Sequence, residues 1–280
     1  MSARFGARLR AAVDTRGPLC VGIDPHPALL AAWGLPDSAD GLERFTATVI
    51  EALAGTAAAV KPQSAFYERF GSRGVAILES AIRQLRTFGA LVILDVKRGD
   101  IGSTAAAYAD AYLDPAGPLC ADAITASPYL GFGALRPMVD KARENGLGLF
   151  VLALTSNPEG AAVQRARGAD GRTVAQLVID EIAQVNAGVE PLGDVGAVIG
   201  ATLGETGHDL TALNGPILAP GLGAQGGRAE DLRVAFGAAA RWVLPSYSRE
   251  VLNAGPDVTE LRAAATRARD ACAAALTVTR

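Results

Sequence analysis

The chain has 280 residues, of which 50% are hydrophobic and 20% are charged, with a formal net charge of −3. This length supports a large buried core, and the slight acidity argues against a nucleic-acid partner, so any bound anion has to meet local cations. No apolar run approaches the roughly 18 residues of a membrane span, and the basic N-terminus lacks the apolar core of a signal peptide, so we expect a cytoplasmic protein without membrane contact.

Short apolar runs alternate with longer amphipathic segments along the chain. Before the first run, Leu9, Ala12 and Val13 share one face of a short predicted helix. The runs are rich in branched aliphatic residues and too short for helices, which predicts buried parallel strands at 19–24, 57–61, 91–97, 120–127, 147–155, 195–202, 215–220 and 241–247. The segments between and after them predict helices at 40–54, 73–88, 103–113, 131–145, 172–186, 205–213, 227–239 and 257–275.

Eight strands that alternate with eight helices predict an α/β protein, a (β/α)8 TIM barrel. We expect residues 1–280 to form a single barrel domain with a short N-terminal helix preceding strand one. A doubly wound sheet is the alternative fold. Segment 156–172 is the least regular part; it is interpreted either as an active-site loop or as an ordinary surface excursion.

Charged residues end the first three predicted strands. Asp24 ends the first, Lys61 ends the second, and Asp95 and Lys97 end the third. Active sites of such barrels lie at the carboxyl ends of the strands, so we expect these four side chains on one rim.

Alternation along the third strand gives a more specific expectation. One face of the strand carries the odd-numbered residues Leu91, Ile93, Asp95 and Lys97. The other face carries the even-numbered residues, which are all apolar. If the apolar face packs against helices, Asp95 and Lys97 point into the barrel mouth. The alternative is an ordinary salt bridge at the end of a strand.

A glycine-rich segment, LAPGLGAQGG at 218–227, follows the seventh predicted strand. Gly221, Gly223 and Gly226 match GxGxxG, the pattern of dinucleotide sites. That pattern normally opens the first βαβ unit, whereas the loops after strands seven and eight of a barrel form phosphate sites. Gln225 in this segment and Arg249 after the eighth strand add suitable donors, so we predict a phosphate site. The alternative is a tight turn beside a surface arginine.

The remaining candidate residues do not form a recognisable site. The only two histidines, His26 and His208, lack the spacing of a metal site, and no GxSxG motif is present. The three cysteines are far apart in the sequence and are interpreted as buried hydrophobes.

The segment DVKRGDIGST at 95–104 resembles the signature of the orotidine 5′-phosphate decarboxylase family, in particular its longer bacterial subgroup. Further matches occur in family order across nearly the whole chain: GIDPHP at 22–27, KPQSAFYE at 61–68, ALTSNPEG at 153–160, PGLGAQGG at 220–227 and SYSRE at 246–250. The resemblance implies decarboxylation of orotidine 5′-phosphate to UMP in de novo pyrimidine biosynthesis, with no cofactor and no metal.

The resemblance also implies roles for individual residues. Lys97 would protonate C6 of the pyrimidine, where loss of CO2 leaves a vinyl carbanion, and Asp95 would lie beside the substrate carboxylate. Asp24 and Lys61 would hold ribose hydroxyl groups, with Lys61 also joining the charge network. Gln63 is a further candidate for a ribose contact, without independent support.

Other implied roles concern the subunit boundary and the ends of the substrate. Asp100, with Ile101 and Thr104, would reach into the neighbouring subunit's site, which implies a homodimer with shared active sites. Ser156 would contact the pyrimidine edge, although Thr155 and Asn157 are adjacent alternatives. Gln225 and Arg249 would bind the 5′-phosphate.

Three other functions remain open. Metal-dependent relatives that act on sugar phosphates, such as keto-gulonate phosphate decarboxylase or hexulose phosphate synthase, carry an acidic metal ligand on strand two, where this chain has Lys61. An NAD-dependent oxidoreductase would use the GxGxxG match but would leave the Asp95–Lys97–Asp100 cluster without a role. A nucleotide-binding or scaffold barrel would have the same architecture and would bind a ligand without catalysing a reaction.

Overall fold

The computed structural model, which describes residues 3–277, contains a closed barrel of eight parallel strands in sequential order. The strands are β1 Cys20–Ile23, β2 Ala59–Pro62, β3 Leu91–Arg98, β4 Ala123–Ala126, β5 Gly148–Leu154, β6 Val195–Ile199, β7 Ile217–Pro220 and β8 Val243–Tyr247. Every predicted run overlaps one of these strands, and the predicted (β/α)8 barrel is confirmed.

Helices surround the barrel and connect its strands. They are α1 Phe5–Arg16, α2 Pro27–Ala32, α3 Ala39–Leu53, α4 Ser64–Glu68, α5 Gly71–Thr87, α6 Gly102–Leu113, α7 Arg136–Glu144, α8 Ala161–Gln164, α9 Val174–Asn186, α10 Leu232–Phe236, α11 Arg249–Leu252 and α12 Val258–Leu276. Within residues 3–277, no helix combines the length and apolarity needed to cross a bilayer.

Two predicted helices differ from the structure. The helix predicted at 205–213 is wrong, because this segment forms turns. The Thr206 and Asp209 side chains accept hydrogen bonds from nearby backbone N–H groups there, and such local bonds compete with a helix. The helix predicted at 227–239 contains only α10 between two 3-10 segments, since Gly237 adopts a positive φ of 50°.

The barrel interior is a small hydrophobic cluster to which every strand contributes: Cys20, Ala59, Leu91, Ile93, Ala123, Phe150, Val198, Leu218 and Leu244. Val92, Leu94 and Val96 instead belong to the large core shared by strands and helices. The predicted alternation of β3 is therefore confirmed: its odd-numbered face lines the barrel, and its even-numbered face packs outward.

Helix α1 closes the amino end of the barrel. Phe5 and Leu9 pack against the interior cluster, and the Phe5 ring meets Phe150 edge-on with 5.9 Å between ring centroids. Arg4 forms an ion pair of 3.1 Å with Asp194, which precedes β6. Side chains of α1 thus cover the interior cluster at the amino end of the barrel.

The three cysteines are buried and unpaired, as the sequence indicates. Burial raises the pKa of the Cys20 thiol to about 12 and that of Cys272 to about 11. The thiolate is the reactive form of cysteine, so these side chains act as packing groups.

Candidate active site

A cavity of about 230 Å³ opens at the carboxyl ends of the strands. Six of the ten predicted site residues line it: Asp24, Lys61, Asp95, Lys97, Gln225 and Arg249. Four come from the ends of β1, β2 and β3, Gln225 comes from the loop after β7, and Arg249 is the first residue of α11, which follows β8. The closed barrel thus brings the charged residues at the strand ends and the two predicted phosphate-binding residues into one cavity.

Asp95 is the centre of the charged half of the cavity. Its Oδ1 accepts hydrogen bonds from Lys97 Nζ at 2.6 Å and Thr125 Oγ1 at 2.8 Å. Its Oδ2 accepts from Lys61 Nζ at 2.9 Å and Gln63 Nε2 at 3.0 Å. An ionised carboxylate offers about four acceptor positions, so its hydrogen-bonding capacity is filled and its orientation is fixed.

The charges of this network stabilise each other. Burial opposes ionisation of Asp95, but the Lys61 and Lys97 ammonium groups outweigh it and hold the pKa of Asp95 below its usual range. Burial likewise opposes the charge on Lys61, yet the carboxylates of Asp95 and Asp24 raise its pKa above the ordinary value. Asp95 and Lys61 are therefore both charged at neutral pH.

Replacement of Asp95 by asparagine is expected to lower the free energy of unfolding by about 3 kcal/mol at pH 7, because it leaves the buried Lys61 ammonium without this carboxylate. The pKa of Asp95 is lower in the folded than in the unfolded protein. Its ionised form therefore stabilises the fold above about pH 4, and that contribution is lost as the pH falls below this value.

Urea unfolding from about pH 6 to about pH 3 measures this effect, and the difference between wild type and Asp95→Asn should shrink towards acid. Asp140→Asn is a matched control, because Asp140 is an exposed carboxylate that pairs with Arg136 at 2.9 Å on a helix surface. A stability difference that stays constant with pH would contradict the ionised Asp95 of this network.

Lys97 and Lys61 differ in their access to the cavity. The Lys97 side chain is 46% exposed, whereas that of Lys61 is 7% exposed, although both ammonium groups bind the same carboxylate. Lys97 also has a positive φ of 46°, which is rare for a residue with a side chain. Lys97 is therefore the more accessible of the two ammonium groups, whereas Lys61 is buried next to Asp95.

The opposite half of the cavity is formed by the glycine-rich loop after β7. Gly221, Gly223 and Gly226 all have positive φ values, so the GxGxxG match here reflects a loop that folds back on itself. Gly223 N donates to Gly227 O at 2.8 Å, and Gly227 N donates to Gly221 O at 3.0 Å. Gly221, Leu222, Ala224 and Gln225 of this loop line the cavity together with Arg249, and Gly223 packs against the adjacent Glu250.

Asp24 lies at the side of the cavity next to Lys61. Among the described residues, its Oδ1 is a buried oxygen without a hydrogen-bond partner. Buried acceptors are normally satisfied, so this atom fits a donor supplied by a ligand. Ser246 and Ser248 line the same part of the wall.

The other four predicted site residues lie outside this cavity. Asp100, Ile101 and Thr104 lie at the start of α6, where the Asp100 carboxylate accepts a hydrogen bond of 2.8 Å from the Ile101 N–H. Ser156 is exposed, and the neighbouring Thr155 lines the cavity instead. Thr155 is held by Gln164, which donates to its hydroxyl at 2.7 Å.

Sequence analysis gave no role to three polar cavity residues, Thr125, Ser246 and Ser248, and named two more, Gln63 and Thr155, only as alternatives. Each lies at or just beyond a strand's carboxyl end, which is the signal that identified Asp24 and Lys61. Uncharged side chains at such positions are common, so the pattern alone did not separate them from ordinary strand ends.

The donor set of the cavity is mixed in charge. Asp24 and Asp95 are its two acids, and Lys61, Lys97 and Arg249 are its cations. Among residues 3–277, no cluster of three or more His, Cys, Asp or Glu side chains has the geometry to hold a metal ion. The arrangement is suited to a ligand with more than one negative charge.

Comparisons with known proteins identify related chains. The sequence model described as "Orotidine 5′-phosphate decarboxylase / HUMPS family" matches residues 17–264. The chain is 72% identical over 273 residues to the orotidine 5′-phosphate decarboxylase of Salinispora arenicola, covering 98% of each chain. It is 62% identical over 263 residues to that of Streptomyces coelicolor, covering 94% of this chain and 95% of the relative.

Solved structures resemble the fold over the same length. A Streptomyces avermitilis crystal structure matches with a TM-score of 0.97 and 60% identity, covering 99% of this chain and 97% of that one. The OMP decarboxylase of Leishmania donovani matches with a TM-score of 0.77 and 32% identity, covering 98% and 99%. The family model and these relatives extend over the strand ends that build the cavity, and the chain therefore belongs to the orotidine 5′-phosphate decarboxylase / HUMPS family.

Proposed function

We propose that this protein decarboxylates orotidine 5′-phosphate to UMP, a step of de novo pyrimidine biosynthesis, without a cofactor. One observation carries the proposal: the half-exposed Lys97 ammonium is fixed at 2.6 Å from a fully hydrogen-bonded Asp95, in a cavity whose other wall is a phosphate-type loop. The 62–72% identity to orotidine 5′-phosphate decarboxylases supports it over nearly the whole chain.

The substrate fits the cavity by charge. Its 5′-phosphate would bind Gln225 and Arg249, whose planar guanidinium matches a phosphate dianion. Its ribose hydroxyls would donate to the buried Asp24 Oδ1 and approach Lys61. This orientation directs the pyrimidine towards Asp95 and Lys97, with Thr155 as a neutral hydrogen-bonding group nearby.

The reaction then needs two functions from the protein. The bond between C6 and the carboxyl carbon breaks, CO2 leaves, and the electron pair stays on C6, where the ring cannot delocalise it. Lys97 stabilises that negative charge as it develops, and a proton then moves from Nζ to C6. Asp95 and Lys61 hold the ammonium in place, so little reorganisation is needed during the step.

Asp95 has a second effect on the bound substrate. At a separation of about 4 Å and an effective dielectric of about 20, its repulsion of the substrate carboxylate amounts to about 4 kcal/mol. Lys61 and Lys97 offset part of this repulsion, and departure of neutral CO2 relieves the rest. Enzymes lower barriers by about 8 kcal/mol or more, so Lys97 and the remote phosphate contacts have to supply the larger share.

Arg249→Ala is expected to reduce kcat/KM for orotidine 5′-phosphate by about 10²- to 10³-fold, because it removes a charged contact to the phosphate. With orotidine, which lacks the phosphate, the variant and the wild type should react at equal rates. Steady-state assays with both substrates measure the contrast. An equal loss of kcat/KM with both substrates would show that Arg249 supports the folding of the site rather than phosphate binding.

The proposed assembly is a homodimer with shared active sites, in which Asp100 of one chain completes the site of the other. Ile101 is 61% exposed beside Asp100, and Tyr129 and Leu130 are exposed on the loop after the neighbouring strand β4. Large apolar side chains grouped on adjacent loops are typical of contact surfaces, which supports a second copy at this position. Thr104 is exposed in the first turn of α6, which begins two residues after Asp100.

The nearest alternative is a metal-dependent reaction on a sugar phosphate, because the matching family model includes such enzymes. In this chain β2 contributes Lys61, whose buried ammonium lies 2.9 Å from Asp95 Oδ2 and would repel a divalent cation at that position. The geometry therefore favours the metal-free reaction. We also place the enzyme in the cytoplasm, where three unpaired cysteines are usual.

A single assay tests the proposal. The purified protein is incubated with orotidine 5′-phosphate and EDTA, and UMP formation is followed by loss of ultraviolet absorbance. We expect full activity in EDTA. Activity that disappears in EDTA and returns with Mg²⁺ would favour the metal-dependent reaction, and absence of UMP under both conditions would overturn the proposal.

A further inference from the structure

The strand that carries Lys97 is irregular at the catalytic segment. From Leu94 to Arg98, β3 advances four residues, while its partner β4 advances only two, from Ile124 to Ala126. Residues 95–97 therefore form a bulge, and Lys97 within it has its positive φ of 46°. Bulges of this kind redirect a side chain, and a positive φ in a lysine persists only where the surroundings enforce it.

Thr125 lies directly opposite this bulge. Its hydroxyl accepts a hydrogen bond of 2.9 Å from the Lys97 backbone N–H and donates one of 2.8 Å to Asp95 Oδ1. The residue is 1% exposed, and its position between Ile124 and Ala126 in β4 fixes its backbone. A single hydroxyl thus joins the backbone of the reacting lysine to the carboxylate that holds its ammonium.

The far side of the bulge is also anchored, but by groups outside the cavity. Arg98 donates to Glu68 Oε1 at 2.6 Å and to the Tyr112 hydroxyl at 3.3 Å, and its carbonyl accepts from Ser127 N at 2.9 Å. Arg98 therefore fixes where the bulge ends. The backbone of Lys97 itself is held by Thr125.

We propose that Thr125 is a positioning residue for the proton transfer, whose hydroxyl sets the left-handed backbone of Lys97 and the rotation of Asp95 at the same time. This inference rests on the proposed function. Without the hydroxyl, the ammonium keeps its carboxylate partner but loses its fixed position relative to C6. The substrate's phosphate and ribose contacts do not involve Thr125, so the defect falls on the chemical step rather than on binding.

The test compares Thr125→Val, which keeps the shape but removes both hydrogen bonds, with Thr125→Ser, which keeps the hydroxyl. We expect Val to lower kcat by about 10- to 100-fold, with UMP affinity within about threefold of wild type, and Ser to recover kcat to within about threefold. If the valine variant does not fold, Thr125→Cys replaces it, because a thiol fits the space but is a weak donor and acceptor.

Thr46→Val is the matched control. Thr46 is equally buried, and its hydroxyl lies 3.1 Å from that of Tyr67 in the core rather than at the cavity. The Thr46→Val substitution should lower thermal stability and leave kcat unchanged.

Two outcomes would overturn the inference: an unchanged kcat in Thr125→Val, or a kcat that falls in parallel with UMP affinity and is not recovered by serine. If the wild-type protein itself had no activity on orotidine 5′-phosphate, the proposed function would be refuted. Failure of the proposed function can therefore be distinguished from failure of the role proposed for Thr125.

Discussion

Replacement of Lys97 by alanine is expected to abolish nearly all turnover of orotidine 5′-phosphate, with kcat lower by about 10⁴-fold or more. In the proposed reaction, the variant loses both the proton donor and the positive charge next to C6, and each of these contributes about two or more orders of magnitude in enzymes generally. Binding of UMP should persist, because Arg249, Gln225 and Asp24 are unchanged.

Single-turnover kinetics measure the chemical step, and titration with UMP measures binding. Lys141→Ala is a matched control, since Lys141 is also a lysine between two carboxylates, Asp110 at 2.9 Å and Asp114 at 3.3 Å, but lies on the helical exterior. It should retain kcat within about twofold of wild type. Turnover of Lys97→Ala comparable to that of this control would exclude Lys97 as the proton donor.

Mixing two inactive variants is expected to restore activity if the active sites are shared between subunits. In a dimer of one Asp100→Ala chain and one Lys97→Ala chain, one site keeps the native Lys97 of the first chain and the native Asp100 of the second. Random exchange at equal amounts gives about half mixed dimers with one intact site each, and therefore about a quarter of the wild-type activity.

The control mixture combines Lys97→Ala with Asp95→Ala. These two residues belong to one chain's site, because Lys97 Nζ and Asp95 Oδ1 are 2.6 Å apart within the chain. Neither site of that mixed dimer is complete, so no recovery is expected. If the Asp100 mixture also fails to recover after confirmed subunit exchange, Asp100 acts within its own chain.

Much of the fold was predictable because strands and helices follow local periodicity. Eight short apolar runs identified all eight strands, and alternation along β3 correctly assigned its odd face to the barrel interior. The exception at 205–213 has a local cause as well. The Thr206 and Asp209 side chains accept hydrogen bonds from backbone N–H groups there in place of helical bonds, and a hydropathy pattern carries no information about such bonds.

The candidate site was predictable where it is charged. Three successive predicted strands end in charged residues, and this pattern is why Asp24, Lys61, Asp95 and Lys97 were expected to share one rim. Thr125 and Gln63 carry no such signal, since neutral polar residues occur at most strand ends. Their contacts with Asp95 depend on β2 and β4 lying on either side of β3.

The amino-acid sequence was enough to predict the family, the barrel fold and the end of the barrel at which the charged residues meet. These predictions follow from short-range hydrophobic patterns and from motifs whose residues are close together in the sequence. The three-dimensional structure was needed to show that β3 bulges at 95–97, that Lys97 has a left-handed backbone, and that Asp95 accepts four hydrogen bonds. Those features depend on the register between neighbouring strands, which arises only when residues some 30 positions apart come into contact.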